Sequence, residues 1–189
     1  MANRTQIVCL HEGERGRSID PVFINAILKR LKPTWIRPWG SNIVRTVDCG
    51  GRTDLIRRMP NELRIVLAMG GATTLIVWAD LDHDMPDGNA LRERFWQEAQ
   101  LGGLSREAFD QAVFVFAKDR LENWIEFLTV GATDESKEGP RVKHNREVAD
   151  AARKLADRCN SASAGPPLPQ SLLWSCENWK ALTKRISDQ

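Results

Sequence analysis

Residues 74–88 read TLIVWADLDHDMPDG, and this stretch decides both the fold and the site that we expect. It begins as an unbroken apolar run rich in β-branched residues, which is typical of a strand buried on both faces. It then changes into alternating acids, Asp80, Asp82 and Asp84, before a Pro and a Gly that indicate a loop. Acids at the carboxyl end of a buried strand lie where open α/β sheets bind ligands. Carboxylates this close together repel one another unless a cation neutralises them, and hard oxygen ligands suit Mg²⁺ or Mn²⁺.

The rest of residues 1–130 alternates between apolar strands and amphipathic helices. Further strands are predicted at 6–10, 35–37 and 112–117, and helices at 18–31, 53–69, 90–100 and after Ser105. Pro60 lies inside the second of these helices and is expected to kink or split it. This alternation predicts an α/β fold with a mainly parallel, four-stranded sheet flanked by helices.

The last third of the chain differs in character. A polar loop at 133–143 leads to predicted helices at 145–159 and 176–186, which a Ser/Ala/Gly/Pro linker separates. We therefore expect an α/β domain at 1–130 and a helical extension at 131–189 packed on it.

Composition excludes several classes of protein. The formal net charge is only +2, so any surface for nucleic acid must be local. The four cysteines form no CxxC pair, which argues against a zinc site or a disulfide scaffold. No apolar run approaches membrane-spanning length, and we expect a cytoplasmic protein without membrane contact. Walker, Gly-x-Gly-x-x-Gly and nucleophile-elbow motifs are also missing, so nucleotide hydrolysis and acyl transfer have no support.

A second acidic segment follows the first strand, where the sequence reads LHEGE at residues 10–14. The first and third strands of such a sheet commonly lie side by side, so Glu12 is expected to reach the same edge as Asp80 and Asp82. Glu122 follows the fourth strand and is expected to approach from the far side. Carboxylates that converge on Mg²⁺ suit phosphodiester chemistry, because the metal activates water and polarises the phosphoryl oxygen.

The segments LHEGE and ADLD, at 10–14 and 79–82, resemble the two signatures of the Toprim domain. That domain occurs in topoisomerases, bacterial primases and nucleases of the overcoming-lysogenization-defect family, and the size here is nearest to the small standalone Toprim nucleases. The resemblance covers about residues 6–124 and implies a Toprim-like, Rossmann-like fold. It also implies that Glu12 is a general acid/base or metal ligand and that Asp80 and Asp82 bind Mg²⁺.

The same resemblance suggests secondary acids. Relatives often carry a further acid shortly after the Glu-Gly pair, where this chain has Gly16; Glu14 or Asp20 is the candidate to replace it. The secondary candidates are therefore Glu14, Asp84 and Glu122, although Asp84 also suits a plain turn.

Two segments of the chain are basic, and the first of them is assigned to the predicted site. Arg15 and Arg17, in the first loop, are placed to hold a phosphate. Residues 137–158 are also basic, but interspersed acids favour a solvated helix face over a surface for nucleic acid.

The leading functional prediction is a Mg²⁺- or Mn²⁺-dependent endonuclease of DNA or RNA. The resemblance further implies a bacterial antiviral defence effector, controlled by a regulatory protein partner in the manner of a toxin and its antitoxin. The alternative is a catalytically degenerate Toprim-like module that acts as a protein-assembly or nucleic-acid-binding subunit, and Gly16 favours it. Phosphatases and glycosyltransferases that use Asp-x-Asp rank lower, because this chain lacks the strand position or the length that they need.

Overall fold

The structure is a computed structural model that describes residues 6–14, 16, 18–31, 44–70, 73–160 and 167–187. Its centre is one parallel sheet with the strand order β2-β1-β3-β4. The strands are β1 (Gln6–His11), β2 (Val44–Asp48), β3 (Thr73–Leu81) and β4 (Val113–Lys118). The described helices are α1 (Asp20–Leu31), α2 (Arg52–Ala68), α3 (Gly88–Leu101), α4 (Arg106–Phe109), α5 (Leu121–Val130), α6 (Asn145–Asn160) and α7 (Gln170–Ser187). The predicted α/β, Rossmann-like fold with helices at its C-terminal end is confirmed.

Helices cover both faces of the sheet, because the central strands are apolar on both sides. Ile76 and Trp78 belong to a core formed with α1, α5 and α6, whereas Leu75 and Val77 belong to a core formed with α2, α3 and α4. Each core has an aromatic centre. The first contains the rings of Phe23, Trp78 and Trp124, and the second contains those of Phe95, Phe109, Phe114 and Phe116.

Helix α7 runs along the free edge of β4. The Ser175 hydroxyl accepts a hydrogen bond from the Phe116 N–H and donates one to the Phe116 carbonyl, at 3.1 Å in both cases. Ser175 is fully buried, so these bonds satisfy backbone groups that no neighbouring strand reaches. The helix therefore protects a strand edge that would otherwise be open to pairing with another chain.

Two details of the predicted elements need correction. The second strand is Val44–Asp48, which was not predicted, and the segment predicted as that strand, residues 35–37, lies outside the described residues. Pro60 was predicted to kink or split helix α2. The helix runs without interruption past Pro60, so it is not split, and the kink stays a prediction. Leu55, Met59 and Leu63 are buried in one core on both sides of the proline, and this shared packing holds the helix together.

The helices after α5 pack on the sheet domain. Val148 and Leu155 of α6 lie in the same core as α1, and α7 also contributes to it. The division of the chain at residue 130 stays a prediction. Within the described segments, no helix combines the length and the apolar character needed to cross a bilayer.

Candidate metal site

The predicted acids lie at the carboxyl edge of the sheet, around the ends of β1 and β3. These two strands pair directly, with His11 opposite Trp78, so Glu12 follows the end of β1 while β3 continues to Leu81. The chain leaves β1 towards β2 and leaves β3 towards β4, which makes this pair of strands the topological switch point of the sheet. Open α/β sheets bind their ligands in the crevice at that point.

Asp80 is the acid at the centre of the site. It is half-buried on β3, and strand alternation directs it to the same face as Trp78, towards α1 and α5. Burial raises the pKa of Asp80 well above its ordinary value, and the negative charges of Asp20, Glu12 and Glu122 raise it further, while Arg120 opposes them. Three carboxylates therefore repel that of Asp80: Glu12 after β1, Asp20 on α1 and Glu122 on α5.

Glu12 is the second central acid, and its side chain is 19% exposed. Its Oε2 atom is buried and has no hydrogen-bond partner among the described residues. Burial raises the pKa of Glu12, whereas the Arg52 charge and a backbone hydrogen bond at Asp80 lower it, and Asp20 raises it again. Glu12 thus lies between the acids around Asp80 and a cation on the other side.

That cation is Arg52, which the sequence analysis did not identify. Its guanidinium forms a close ion pair with Asp82 through Nη2 and a 3.0 Å hydrogen bond from Nη1 to Oδ1 of Asp84. Its Nε atom lies 4.0 Å from Oε2 of Glu12, and the arginine side chain is only 13% exposed. The Arg52 hydrogen bond lowers the pKa of Asp84, which also pairs with Arg94. Asp82 and Asp84, both more than half exposed, are therefore directed to Arg52.

Arg52 was missed because β2 was missed. It is the first residue of α2, a few positions after the end of β2, and only the pairing of β2 with β1 brings that helix start beside Glu12. The available signal was the β-branched residues of the segment VRTV at 44–47, followed by Gly50-Gly51, which favour a strand and then a turn.

Asp20 lies close enough to the site for its charge to raise the pKa of Asp80 and of Glu12. Asp20 is the first residue of α1, is nearly buried, and accepts a 2.7 Å hydrogen bond from the Ser18 hydroxyl. Its Oδ2 atom also lies 3.6 Å from Nδ1 of buried His11. Glu14 is exposed, and Arg15 and Arg17, the predicted phosphate-binding residues, lie outside the described residues.

The end of β4 brings a further acid to this edge. Asp119 has a left-handed backbone with φ of 63°, its N–H bonds the Leu81 carbonyl at 2.8 Å, and its side chain is 8% exposed. Its Oδ1 atom lies 3.4 Å from Nε2 of exposed His83. Non-glycine residues rarely adopt this backbone conformation, and where they do it often marks a functional site. Glu122 follows in the first turn of α5.

Among the described residues, no three His, Cys, Asp or Glu side chains are grouped closely enough to hold a metal ion. The chemistry of the donors nevertheless fits a hard divalent cation. Glu12 offers a buried carboxylate oxygen that has no hydrogen-bond partner among the described residues, and burial together with the charges of Asp20, Glu12 and Glu122 disfavours the ionised form of Asp80. A cation at these two carboxylates would remove that cost.

The basic residues of α6 are largely engaged within the protein. Lys154 donates to the Leu128 carbonyl at 3.2 Å, Arg158 lies over the Phe127 ring, and Arg153 pairs with Asp150. Whether this helix face is only solvated or contacts nucleic acid stays a prediction.

Comparison of the chain with protein-family models, with curated proteins and with solved structures gives no match. The Toprim resemblance therefore stays a prediction that rests on residues 10–14 and 79–82 and on their place in the fold.

Proposed function

We propose that this chain is a divalent-metal-dependent nuclease of Toprim type that hydrolyses phosphodiester bonds in DNA or RNA. The observation that carries the proposal is the placement of Glu12 and Asp80 at the carboxyl ends of two paired strands, at the switch point of the sheet. The raised pKa of each carboxyl supports it, because acids held at such a cost to stability are typical of functional sites.

Glu12 and Asp80 are the carboxylates that would hold Mg²⁺ or Mn²⁺, with Asp82 as the third ligand. A bound cation of this kind polarises a phosphoryl oxygen and lowers the pKa of a coordinated water. One oxygen of the Glu12 carboxylate would bind the cation, and the other would take a proton from the attacking water. Asp20 and Glu122 keep the surroundings of Asp80 negative, which favours occupation by a cation.

A cleavage assay tests this proposal. Labelled single-stranded DNA, duplex DNA and RNA are incubated with Mg²⁺ or Mn²⁺, with EDTA as the blank. We expect cleavage by the wild type and loss of cleavage in Asp80→Asn. Asp110→Asn is the matched control, because Asp110 precedes β4 at the opposite edge of the sheet and pairs with exposed arginines. Cleavage that survives Asp80→Asn would contradict the assignment.

A specific observation also favours the second candidate, a catalytically degenerate module that binds nucleic acid or assembles with a protein. Arg52 binds Asp82 and Asp84, so a cation other than a metal already neutralises part of the acidic edge. This alternative predicts no cleavage with any divalent ion, together with a stable complex. The role in bacterial defence and the controlling protein partner remain implications of the resemblance.

A further inference from the structure

Arg52 differs from the other arginines of its helix. Its side chain is 13% exposed and faces three carboxylates, whereas Arg57, on the same helix, is 69% exposed and pairs with Asp54. Arg94 also pairs with Asp84, so two guanidinium groups face three acids, and the cluster keeps a net negative charge that attracts cations.

The contact of Arg52 with Glu12 is incomplete. Nε of Arg52 and Oε2 of Glu12 lie 4.0 Å apart, which is too far for a hydrogen bond. Both atoms are buried, and neither has a hydrogen-bond partner among the described residues. Unpaired buried polar atoms are costly, so this side of the guanidinium is not held in its best arrangement. A ligand with several oxygen acceptors would give the Nε–H of Arg52 a hydrogen-bond partner.

A phosphodiester is such a partner. Guanidinium groups bind phosphate oxygens with two parallel N–H donors, and the fork of Arg52 lies at the edge where the proposed reaction places the phosphate. The carboxylates around Arg52 prefer a divalent cation, because its charge is twice that of the guanidinium.

We propose that Arg52 exchanges partners in the proposed reaction. In the metal-free protein it pairs with Asp82 and Asp84 and lies beside Glu12. With a divalent cation on the carboxylates, it turns to the non-bridging oxygens of the substrate phosphodiester. This inference rests on the proposed function and assigns Arg52 as a substrate-binding residue. Because binding couplings are reciprocal, metal and nucleic acid must then strengthen each other's binding through this residue.

The test uses the full chain and the variants Arg52→Gln and Arg52→Lys, with Arg57→Gln as the control on the same helix. Calorimetric titration with Mn²⁺, without nucleic acid, measures the first half of the exchange. We expect Arg52→Gln to bind Mn²⁺ about tenfold more tightly than the wild type, since typical site couplings span about 5- to 150-fold. Arg57→Gln is expected to match the wild type.

Stopped-flow fluorescence anisotropy with a fluorescein-labelled single DNA strand measures the second half, with and without Mn²⁺. Binding is recorded immediately after mixing, before turnover, and a gel of samples quenched at the same time confirms that the strand is intact. We expect Mn²⁺ to raise the affinity of the wild type for the strand and Arg52→Gln to lose about fivefold or more of that increase. Arg52→Lys keeps the charge but loses the fork, so it is expected to bind Mn²⁺ like the wild type and the strand more weakly. This variant decides the question if Arg52→Gln does not fold.

The outcomes separate the inference from the proposed function. If wild type and Arg52→Gln bind Mn²⁺ equally, or if both gain strand affinity equally with Mn²⁺, the exchange of partners is overturned while the metal site stands. If neither protein binds Mn²⁺, the proposed function is overturned and the exchange with it. Both proposals are supported if Arg52→Gln binds Mn²⁺ more tightly than the wild type and gains less affinity for the strand when Mn²⁺ is added.

Discussion

Replacement of Asp80 by Asn is expected to stabilise the metal-free protein at neutral pH. Burial, and then the charges of Asp20 and Glu12, raise the pKa of Asp80 well above its ordinary value of 3.8. A carboxyl whose pKa is higher in the folded than in the unfolded protein binds its proton more tightly when folded. Its contribution to stability is therefore fully present below the unfolded pKa and is lost as pH rises through the folded pKa. Asn has nearly the same shape and does not ionise, so the variant avoids this loss.

The expected gain is about 1–2 kcal/mol in the free energy of unfolding at pH 7.5, the usual effect of relieving one unfavourable site. For a chain of this size each kcal/mol shifts Tm by about 2–4 °C, so the predicted rise is about 2–8 °C. Differential scanning calorimetry in EDTA at pH 7.5 and pH 4.5 measures it. The gap between variant and wild type is expected to shrink at pH 4.5, since the wild-type carboxyl then keeps its proton.

The matched control for this experiment is Asp110→Asn, which loses exposed ion pairs with Arg92 and Arg106. Such exposed pairs contribute about 0–1 kcal/mol, so this variant is expected to be equal to or slightly less stable than the wild type. A lower Tm for Asp80→Asn at pH 7.5, or a gap that does not change with pH, would refute the account of a strained acidic site.

Two predictions concern the packing of α7. Ser175→Ala leaves the buried N–H and carbonyl of Phe116 without their 3.1 Å partner, and we expect a loss of about 2–4 kcal/mol in urea denaturation, against little change for the exposed Ser136→Ala. Gly88→Ala would place a Cβ atom 2.7 Å from Cδ2 and Cε2 of Trp174, and we expect a loss of about 1–3 kcal/mol with altered tryptophan fluorescence. A Gly88→Ala protein as stable as the wild type would show that Trp174 moves aside at no cost.

The fold could be predicted from sequence where local pattern and burial agree. Residues 74–81 are apolar on both faces and form the central strand, and the side-by-side pairing of β1 with β3 followed from the alternation of strands and helices. Asp87 precedes the helix predicted at 90–100, and its side chain caps α3 by accepting a 2.9 Å hydrogen bond from the N–H of Ala90.

The errors arose where tertiary packing outweighs local pattern. β2 is an edge strand with mixed exposure, so its sequence carries a weaker signal than β3. Pro60 removes a hydrogen bond inside α2, yet burial of Met59 and Leu63 beside it keeps the helix intact.

The site was predictable in part for the same reason. The positions of Glu12 and Asp80 could be predicted, because each lies at the carboxyl end of a strand with a clear apolar pattern. Arg52 and Asp20 reach the site from helix starts, and sequence spacing alone does not reveal that distant helix starts meet at one edge of a sheet. Asp82 was assigned with Asp80 as an equal ligand, whereas in this structure it is more than half exposed and paired with Arg52.

The most direct test of the central claim is a calorimetric titration with Mg²⁺ and Mn²⁺ of the wild type, Asp80→Asn and Asp110→Asn. We predict binding by the wild type and by Asp110→Asn, and none by Asp80→Asn, because Asp80 is the carboxylate at the centre of the acidic edge. Binding that persists unchanged in Asp80→Asn would contradict the claim.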